Sequence, residues 1–314
     1  MTGRAPGPAF GPAFGALARR LARRLPGLLL LAGAAVLASF LASRALPGDP
    51  ILLMVEGRAV DPEMVRQLRA GAGLDRPLAA QFTAYIVALL HGDLGHSLRY
   101  GGVPVTTLLA EALPVTLGLL AGAAALALPL GLAAGLAAAD ARRAWPGGLL
   151  TIGSVLALST PPLALATWLM LAVPGGTALA VVALALPAAA VIARLTRAQV
   201  AEVLGRDFIR TARAKGLRRA AVLLRHALPN ALVPLAVAAG SVVGALFTAT
   251  AAVESVFALP GMGRLTVQAV LARDHPLAGA AVLVFVLAQV GLSLMVELLI
   301  GLADPRLRGG REPP

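Results

Sequence analysis

The sequence has no cysteine, a single lysine and little charge of either kind: Asp, Glu, Lys and Arg make up 13% of its 314 residues. Without cysteine, disulfides and thiolate chemistry are excluded. The one lysine, Lys215, stands in Ala214-Lys215-Gly216 with no glycine pattern upstream. The chain therefore has no loop built to cradle nucleotide phosphates. The four histidines, His91, His96, His226 and His275, fall in no metal-ligand pattern, and the five-residue step from His91 to His96 does not share a helix face. No Ser-His-Asp arrangement and no pair of intramembrane aspartates points to a hydrolase. The shortage of charge is itself informative. A soluble domain normally carries about 25% charged residues, so this chain has too little polar surface to cover itself in water.

What replaces the charge is apolar sequence in long runs: 58% hydrophobic residues and a mean hydropathy of +0.84. Such runs need lipid as their solvent. The net charge of +12, nearly all arginine, would suggest nucleic acid in a soluble protein. Here it fits cytoplasmic loops that collect bases beside lipid, with no nucleic-acid partner. The stretch to Gly15, rich in Gly, Pro and Ala, is expected to be disordered. The run Leu25–Leu46 behind Arg23-Arg24 is too long for the core of a cleaved signal peptide and long enough to span a bilayer.

Five more spans are expected: Pro114–Ala139, Leu149–Val173 around Pro161-Pro162, Ala178–Leu195, Ala231–Val253 and Pro276–Leu302. The expected fold is an all-α membrane bundle of six transmembrane helices over residues 25–303, between tails 1–24 and 304–314. A mixed-charge external segment, 47–108, should hold short helices over Asp61–Ala70 and Pro77–Leu90. Arginines at 142 and 143, from 194 to 225, and at 306, 308 and 311 place those loops and both termini on the cytoplasmic side. Paired glycines (118 and 122, 131 and 135, 240 and 244) suit close helix packing. Glu297 is expected to snorkel toward the cytoplasm, and Glu111 and Glu254 to meet water near the outer ends.

The loop Arg194–Leu228 is patterned rather than linker-like. Val200, Val203, Leu204, Phe208 and Ala212 fall at helical spacing, with Arg206, Arg210 and Arg213 beside them and Glu202 placed to pair with Arg206. Lys215-Gly216 reads as a helix end, with glycine at the left-handed cap position. A second amphipathic helix is expected to bury Leu217, Ala220, Ala221, Leu224 and Leu228 before Pro229 closes it. By amphipathy alone, this hairpin fits an interfacial helix on lipid headgroups as well as a docking element for a partner.

The run Asp207-Phe208-Ile209-Arg210-Thr211-Ala212-Arg213-Ala214-Lys215-Gly216-Leu217, followed by Arg225-His226-Ala227-Leu228-Pro229, resembles the cytoplasmic coupling loop of ABC importer permeases of the dipeptide/oligopeptide/nickel family. Ala212, Gly216 and Leu228-Pro229 match the general loop pattern, while Arg210, Thr211 and His226 depart from it. Leu46-Pro47-Gly48-Asp49-Pro50, Gly73-Leu74-Asp75-Arg76-Pro77, Gly92-Asp93-Leu94-Gly95-His96-Ser97, Val256 to Leu265 and Asp304-Pro305-Arg306 extend the likeness, in order, across most of the chain. Pro174-Gly175-Gly176 is a departure, since similar permeases have a longer external connection between the third and fourth spans.

The resemblance implies a transport subunit, not an enzyme. Residues Asp207, Arg210, Thr211, Ala212, Arg213, Ala214, Lys215, Gly216 and Leu217 would couple it to an ATPase. The implied partners are a homologous permease, two ABC ATPase subunits and an extracytoplasmic substrate-binding protein. ATP and magnesium would be used by the ATPase, with no cofactor held by this chain. The implied substrate is a small polar solute, a peptide first and nickel or its chelate as an alternative. A secondary transporter is the competing class, and the lack of a buried ion relay or an inverted repeat argues against it. A scaffold would not need proline-broken spans together with a patterned hairpin.

Overall fold

The computed structural model describes residues 26–27, 29–41, 44, 51, 61–71, 73–140, 144–173 and 176–303. Both expected tails, the 46–50 motif, the arginines at 142 and 143, Pro174-Gly175 and the 304–306 motif lie outside them. Among the described residues the chain is helical, and the only strand-like feature is one isolated bridge between His96 and Pro104.

Helix α1 covers Leu29–Leu41. The short helices α2 (Pro62–Gly71) and α3 (Leu78–Leu90) fall within a residue of expectation. Proline sets both starts, as the first residue of α2 and as the extended residue Pro77 before α3. Helix α4 runs over Val105–Asp140 and contains Pro114 and Pro129. It begins nine residues before the expected Pro114, because the apolar turn Val105–Ala112 packs against the rest of the bundle and extends the helix.

The expected third span is two helices, α5 (Ala144–Ser159) and α6 (Pro162–Ala172). Pro161 is extended, with ψ 139°, as a residue preceding proline prefers, and Pro162 opens the new helix. Helix α7 (Thr177–Leu204) carries on well past the expected end at Leu195. Residues 194–204 are therefore a continuation of a span and not loop. The remaining long helices are α9 (Leu228–Val256) and α11 (His275–Ala303), with the short α8 (Asp207–Ala214) and α10 (Met262–Leu271) before each. Among the described residues, four helices are long and apolar enough to cross a membrane: Val105–Ala139, Thr177–Leu204, Pro234–Val256 and His275–Val296.

Among the described residues, the α4–α7 seam is the most extensive helix–helix interface. Its core is built of small residues, with Ala123, Ala127, Ala180, Ala183 and Ala185 all buried beside Leu119 and Leu184. Two of the paired glycines explain the closeness. A β-carbon at Gly131 would lie 2.7 Å from the Ala189 carbonyl oxygen and from Ile192 Cβ. At Gly135 it would lie 2.5 Å from the Ala193 oxygen and from Thr196 Cβ. In lipid, where water gives no drive to pack apolar helices together, such close approach is a main source of association. Phe247 of α9 and Phe285 of α11 close the core with ring centroids 4.4 Å apart.

Adding a methyl at the seam forces the helices apart. Gly135→Ala should cost about 1–3 kcal/mol, the usual penalty for overpacking, and lower the melting temperature of the detergent-solubilised protein. Gly118→Ala is the control. No atom lies within 4 Å of a β-carbon there, so the change should be neutral or stabilise by up to about 1 kcal/mol through helix propensity. Equal melting temperatures for the two variants would contradict the seam.

Candidate functional site

The hairpin at one end of the bundle is built from the bottom of α7, α8, and the chain entering α9. Helix α7 stops at Leu204, Gly205 and Arg206 turn the chain, and Arg206 is the extended residue that starts α8. Asp207 occupies the first turn of α8 and Arg213 the last, both favourable to the helix dipole. The chain leaves α8 through Lys215 and Gly216, whose φ of +75° confirms the left-handed cap. One further turn, Arg219–Ala221, runs into a π-helical segment, Val222–Ala227, which passes without a break into α9.

The expected second helix closed by Pro229 is thus corrected: Pro229 lies in the first turn of α9. Proline lacks an N–H and crowds the carbonyl four residues back, so the preceding turn widens. Asn230 Nδ2 donates to the His226 carbonyl at 2.7 Å, satisfying an acceptor there.

This geometry also corrects which side chains face inward. Ile209 and Ala212 of α8 are buried, together with Val200 and Val203 of α7, Val222, Leu223 and Ala227, and Ala231 and Leu235 of α9. Leu132, Leu136 and Ala139 of α4 pack on this cluster. Phe208, expected inside, is 41% exposed, as is Leu217, and Leu224 is more exposed still. The turn at Gly205-Arg206 resets the helical phase, so the face that continues Val200–Val203 is carried by Ile209 and not Phe208. The wide turn shifts the phase again and buries Val222 and Leu223 in place of Ala220 and Leu224.

Of the nine candidate coupling residues, only Ala212 is buried; Asp207, Arg210, Thr211, Arg213, Ala214, Lys215, Gly216 and Leu217 all reach the surface. Arg210 pairs with Asp207 at 3.3 Å, Thr211 Oγ1 donates to the Asp207 carbonyl at 3.2 Å, and Glu202 pairs with Arg206 at 3.1 Å as its spacing suggested. The product is an anchored knuckle: apolar underneath, basic above, with Phe208 and Leu217 standing out of the charge.

The opposite end is held by hydrogen bonds that the sequence did not reveal. Asp274 is buried just before α11. Its carboxylate accepts from the Ser97 hydroxyl, from the Arg99 amide at 3.1 Å and from the Leu277 amide at 3.2 Å. That fixes the Gly92–Ser97 motif against α11. Glu254, expected in water, is fully buried at the end of α9. It accepts from Thr116 Oγ1 of α4 at 2.6 Å and from the Gly263 and Arg264 amides of α10 at 2.8 and 3.1 Å. Glu111 is exposed as expected.

Between the ends, α5, α6, α7 and α9 surround a cavity of about 510 Å³ whose hydroxyls are Thr160 and Ser241 and whose remaining lining is apolar. Among the described residues no three His, Asp or Glu side chains converge as a metal site.

Long apolar helices, small-residue seams and an exposed basic knuckle at one end of the bundle define a polytopic membrane protein. The chain belongs to the family of binding-protein-dependent transport system inner membrane components, whose pattern matches residues 127–309; the N-terminal pattern of the same systems matches residues 17–119. It is 35% identical over 312 residues to a Brucella abortus protein named for a peptide transport system permease, covering 90% of this chain and 96% of that one. It is 36% identical over 298 residues to the glutathione transport system permease of Pectobacterium atrosepticum, covering 90% and 95%. The dipeptide transport system permease of Escherichia coli is 32% identical over 317 residues, covering 87% and 93%. The chain is accordingly a multi-pass inner-membrane permease of the peptide-transport kind.

The hairpin's anchor gives a test of its folding. Ile209→Ala should cost about 2–5 kcal/mol of local stability. Trypsin cleavage at Arg210 and Arg213 should then accelerate about tenfold or more, because cleavage of a transiently opened segment follows its population. Phe208→Ala should leave the cleavage rate of the wild-type protein unchanged.

Proposed function

We propose that this chain is one of two permease subunits of an ATP-driven importer of peptides, and that Asp207–Leu217 is its coupling element. The family match over residues 127–309 carries the reading. In it, α1 and the broken α5–α6 complete six spans around α4, α7, α9 and α11. Both termini and the hairpin face the cytoplasm, where the arginines are concentrated.

Two ATPase subunits, each a separate chain, would bind the knuckles of this permease and of a homologous one. Phe208 and Leu217 inside a rim of Arg210, Arg213 and Lys215 suit an apolar notch with acidic edges. ATP binding draws the ATPases together. A lever anchored by Ile209 and Ala212 passes that movement to α4, α7 and α9, which share its apolar cluster. The cavity beside Thr160 and Ser241 would form half of the pathway, completed by the second permease. An external binding protein would deliver substrate. Relatives named for peptides, dipeptide and glutathione favour peptides over nickel.

The decisive variant is Gly216→Leu. At φ +75° a side chain is strained by about 1–2 kcal/mol, yet no atom lies within 4 Å to clash with it. Membrane levels should stay normal while ATPase co-purification weakens and peptide uptake by the reconstituted complex is lost. Arg213→Ala should show a milder loss, because Arg210 and Lys215 remain. Full uptake by Gly216→Leu would leave the hairpin as an interfacial helix only. Orientation is checked separately by labelling Arg213→Cys and Arg66→Cys with a membrane-impermeant maleimide, which should reach them from opposite sides.

A further inference from the structure

Glu254 plays no part in the coupling described above, yet it is a fully buried carboxylate, accepting three hydrogen bonds, at the end remote from the hairpin. The short helix α10 begins at Met262 after Gly261, which offers no side-chain cap. The first-turn amides of any helix lack intrahelical partners. Here they are taken up by side chains of two other helices. Glu254 Oε2 accepts from the Gly263 and Arg264 amides, at 2.8 and 3.1 Å. Thr116 Oγ1 accepts from the Met262 amide at 2.8 Å and donates to Glu254 Oε1 at 2.6 Å. Thr116, Glu254 and Met262 are all fully buried. The glycines on either side of Met262 are there for this contact. A β-carbon at Gly261 would collide with the Glu254 carboxylate, and one at Gly263 with the backbone of Ala251.

The placement of the three helices matters. Helix α4 gives Leu132, Leu136 and Ala139 to the hairpin's cluster, and α9 gives Ala231 and Leu235. The same two helices meet again at the other end, as Thr116 and Glu254, where both grip α10. They are two struts rising from one moving base to one joint. Apolar contact between them tolerates sliding, whereas a carboxylate shared among a hydroxyl and two amides tolerates little. We propose that Glu254 is a positioning residue of the transport cycle: with Thr116 it fastens α4, α9 and α10 into a single unit, so that displacement of the hairpin reaches the far side of the bundle undivided.

This rests on the importer reading, so the test has one arm independent of it. Thr116→Val keeps the shape of the side chain and removes both of its hydrogen bonds. Glu254→Gln replaces one acceptor oxygen by a donor. Thr116→Ser restores the hydroxyl. In the isolated chain in nanodiscs, hydrogen exchange at the Met262, Gly263 and Arg264 amides should rise in Thr116→Val and Glu254→Gln and return to wild type in Thr116→Ser. Exchange across 207–214 should stay unchanged throughout. No change at Met262–Arg264 would overturn the fastening whatever the chain transports.

The second arm uses the full complex in liposomes, with an equimolar pool of di- and tripeptides as the probe. Thr116→Val and Glu254→Gln should keep ATPase association and basal ATP hydrolysis at wild-type levels. Uptake per ATP should fall about tenfold, a size typical of coupling between distant sites, and recover in Thr116→Ser. Wild-type uptake per ATP in Thr116→Val would overturn the proposal. So would a loss of uptake only in proportion to lost folded complex, which would make the joint a structural cap and nothing more. A wild-type complex that takes up no peptide while the exchange arm behaves as stated would instead refute the importer reading.

Discussion

Inside an apolar medium every backbone N–H and C=O must find its partner within the chain, and most of this structure follows from that demand. Proline removes a donor, and the long helices carry it at 114, 129, 187 and 234 without breaking. Breaking would be worse, because each new end adds orphan donors and acceptors to lipid. Where the chain does break, side chains cover the loss. Thr160 returns its hydroxyl to the Leu156 carbonyl at 2.8 Å above the Pro161-Pro162 step. Asn230 does the same for His226 below Pro229, and Glu254 and Asp274 collect the amides at the starts of α10 and α11. Burying a carboxylate is costly, and hydrogen bonds to its oxygens offset part of that cost; Glu254 and Asp274 are placed where helix starts concentrate donors and a partial positive charge.

Both ends of the bundle carry an apolar cluster, and they differ in the polar bonds added to it. At the hairpin end the cluster around Ile209, Val222 and Ala231 is aliphatic throughout, and its charges lie outside. At the other end, directional bonds fix Ser97, Arg99, Thr116 and the starts of α10 and α11 in one register. Apolar packing is non-directional and stores no particular register, while a shared carboxylate has few equivalent arrangements. On the proposed coupling role, a push on the anchored hairpin would reach α4 and α9 through its apolar cluster and be held in register at the far end by these bonds.

Elements set by local chemistry were legible in the sequence. Helices α2 and α3 follow from their prolines, Gly216 from its place behind Lys215, and the Glu202–Arg206 pair from its spacing. The failures in the hairpin share a cause. Extending one helical period through Gly205-Arg206 and then through a wide turn misassigned Phe208, Leu217 and Leu224, because periodicity carries no record of where the phase resets. The span around Pro161-Pro162 was drawn as one because the sequence is apolar on both sides of the pair, whereas α5 ends at Ser159 and Pro162 opens α6. Glu254 was misread because its partner Thr116 is 138 residues away, and nothing local announces a hydroxyl arriving from another helix. One signal was present: Gly261 and Gly263 bracket a methionine just before a helical run, which marks a backbone that something approaches closely.

The mid-bundle cavity bears on where selectivity lies. Its lining offers two hydroxyls, Thr160 and Ser241, among alanine, leucine, valine and proline, and no charged group. Peptides vary in side chain but share a backbone of amides and carbonyls. A wall carrying a fixed carboxylate or guanidinium would hold one class of side chain and repel another, and tight holding slows release. Hydroxyls that both donate and accept serve the common backbone without that bias. On the proposed reading, a wall of this kind would pass peptides of differing side chain and leave discrimination among them to the external binding protein. What this chain's own residues would add on that reading is mechanical: a hairpin anchored on α4, α7 and α9 by its apolar cluster, and a far end held in register by Glu254 and Asp274.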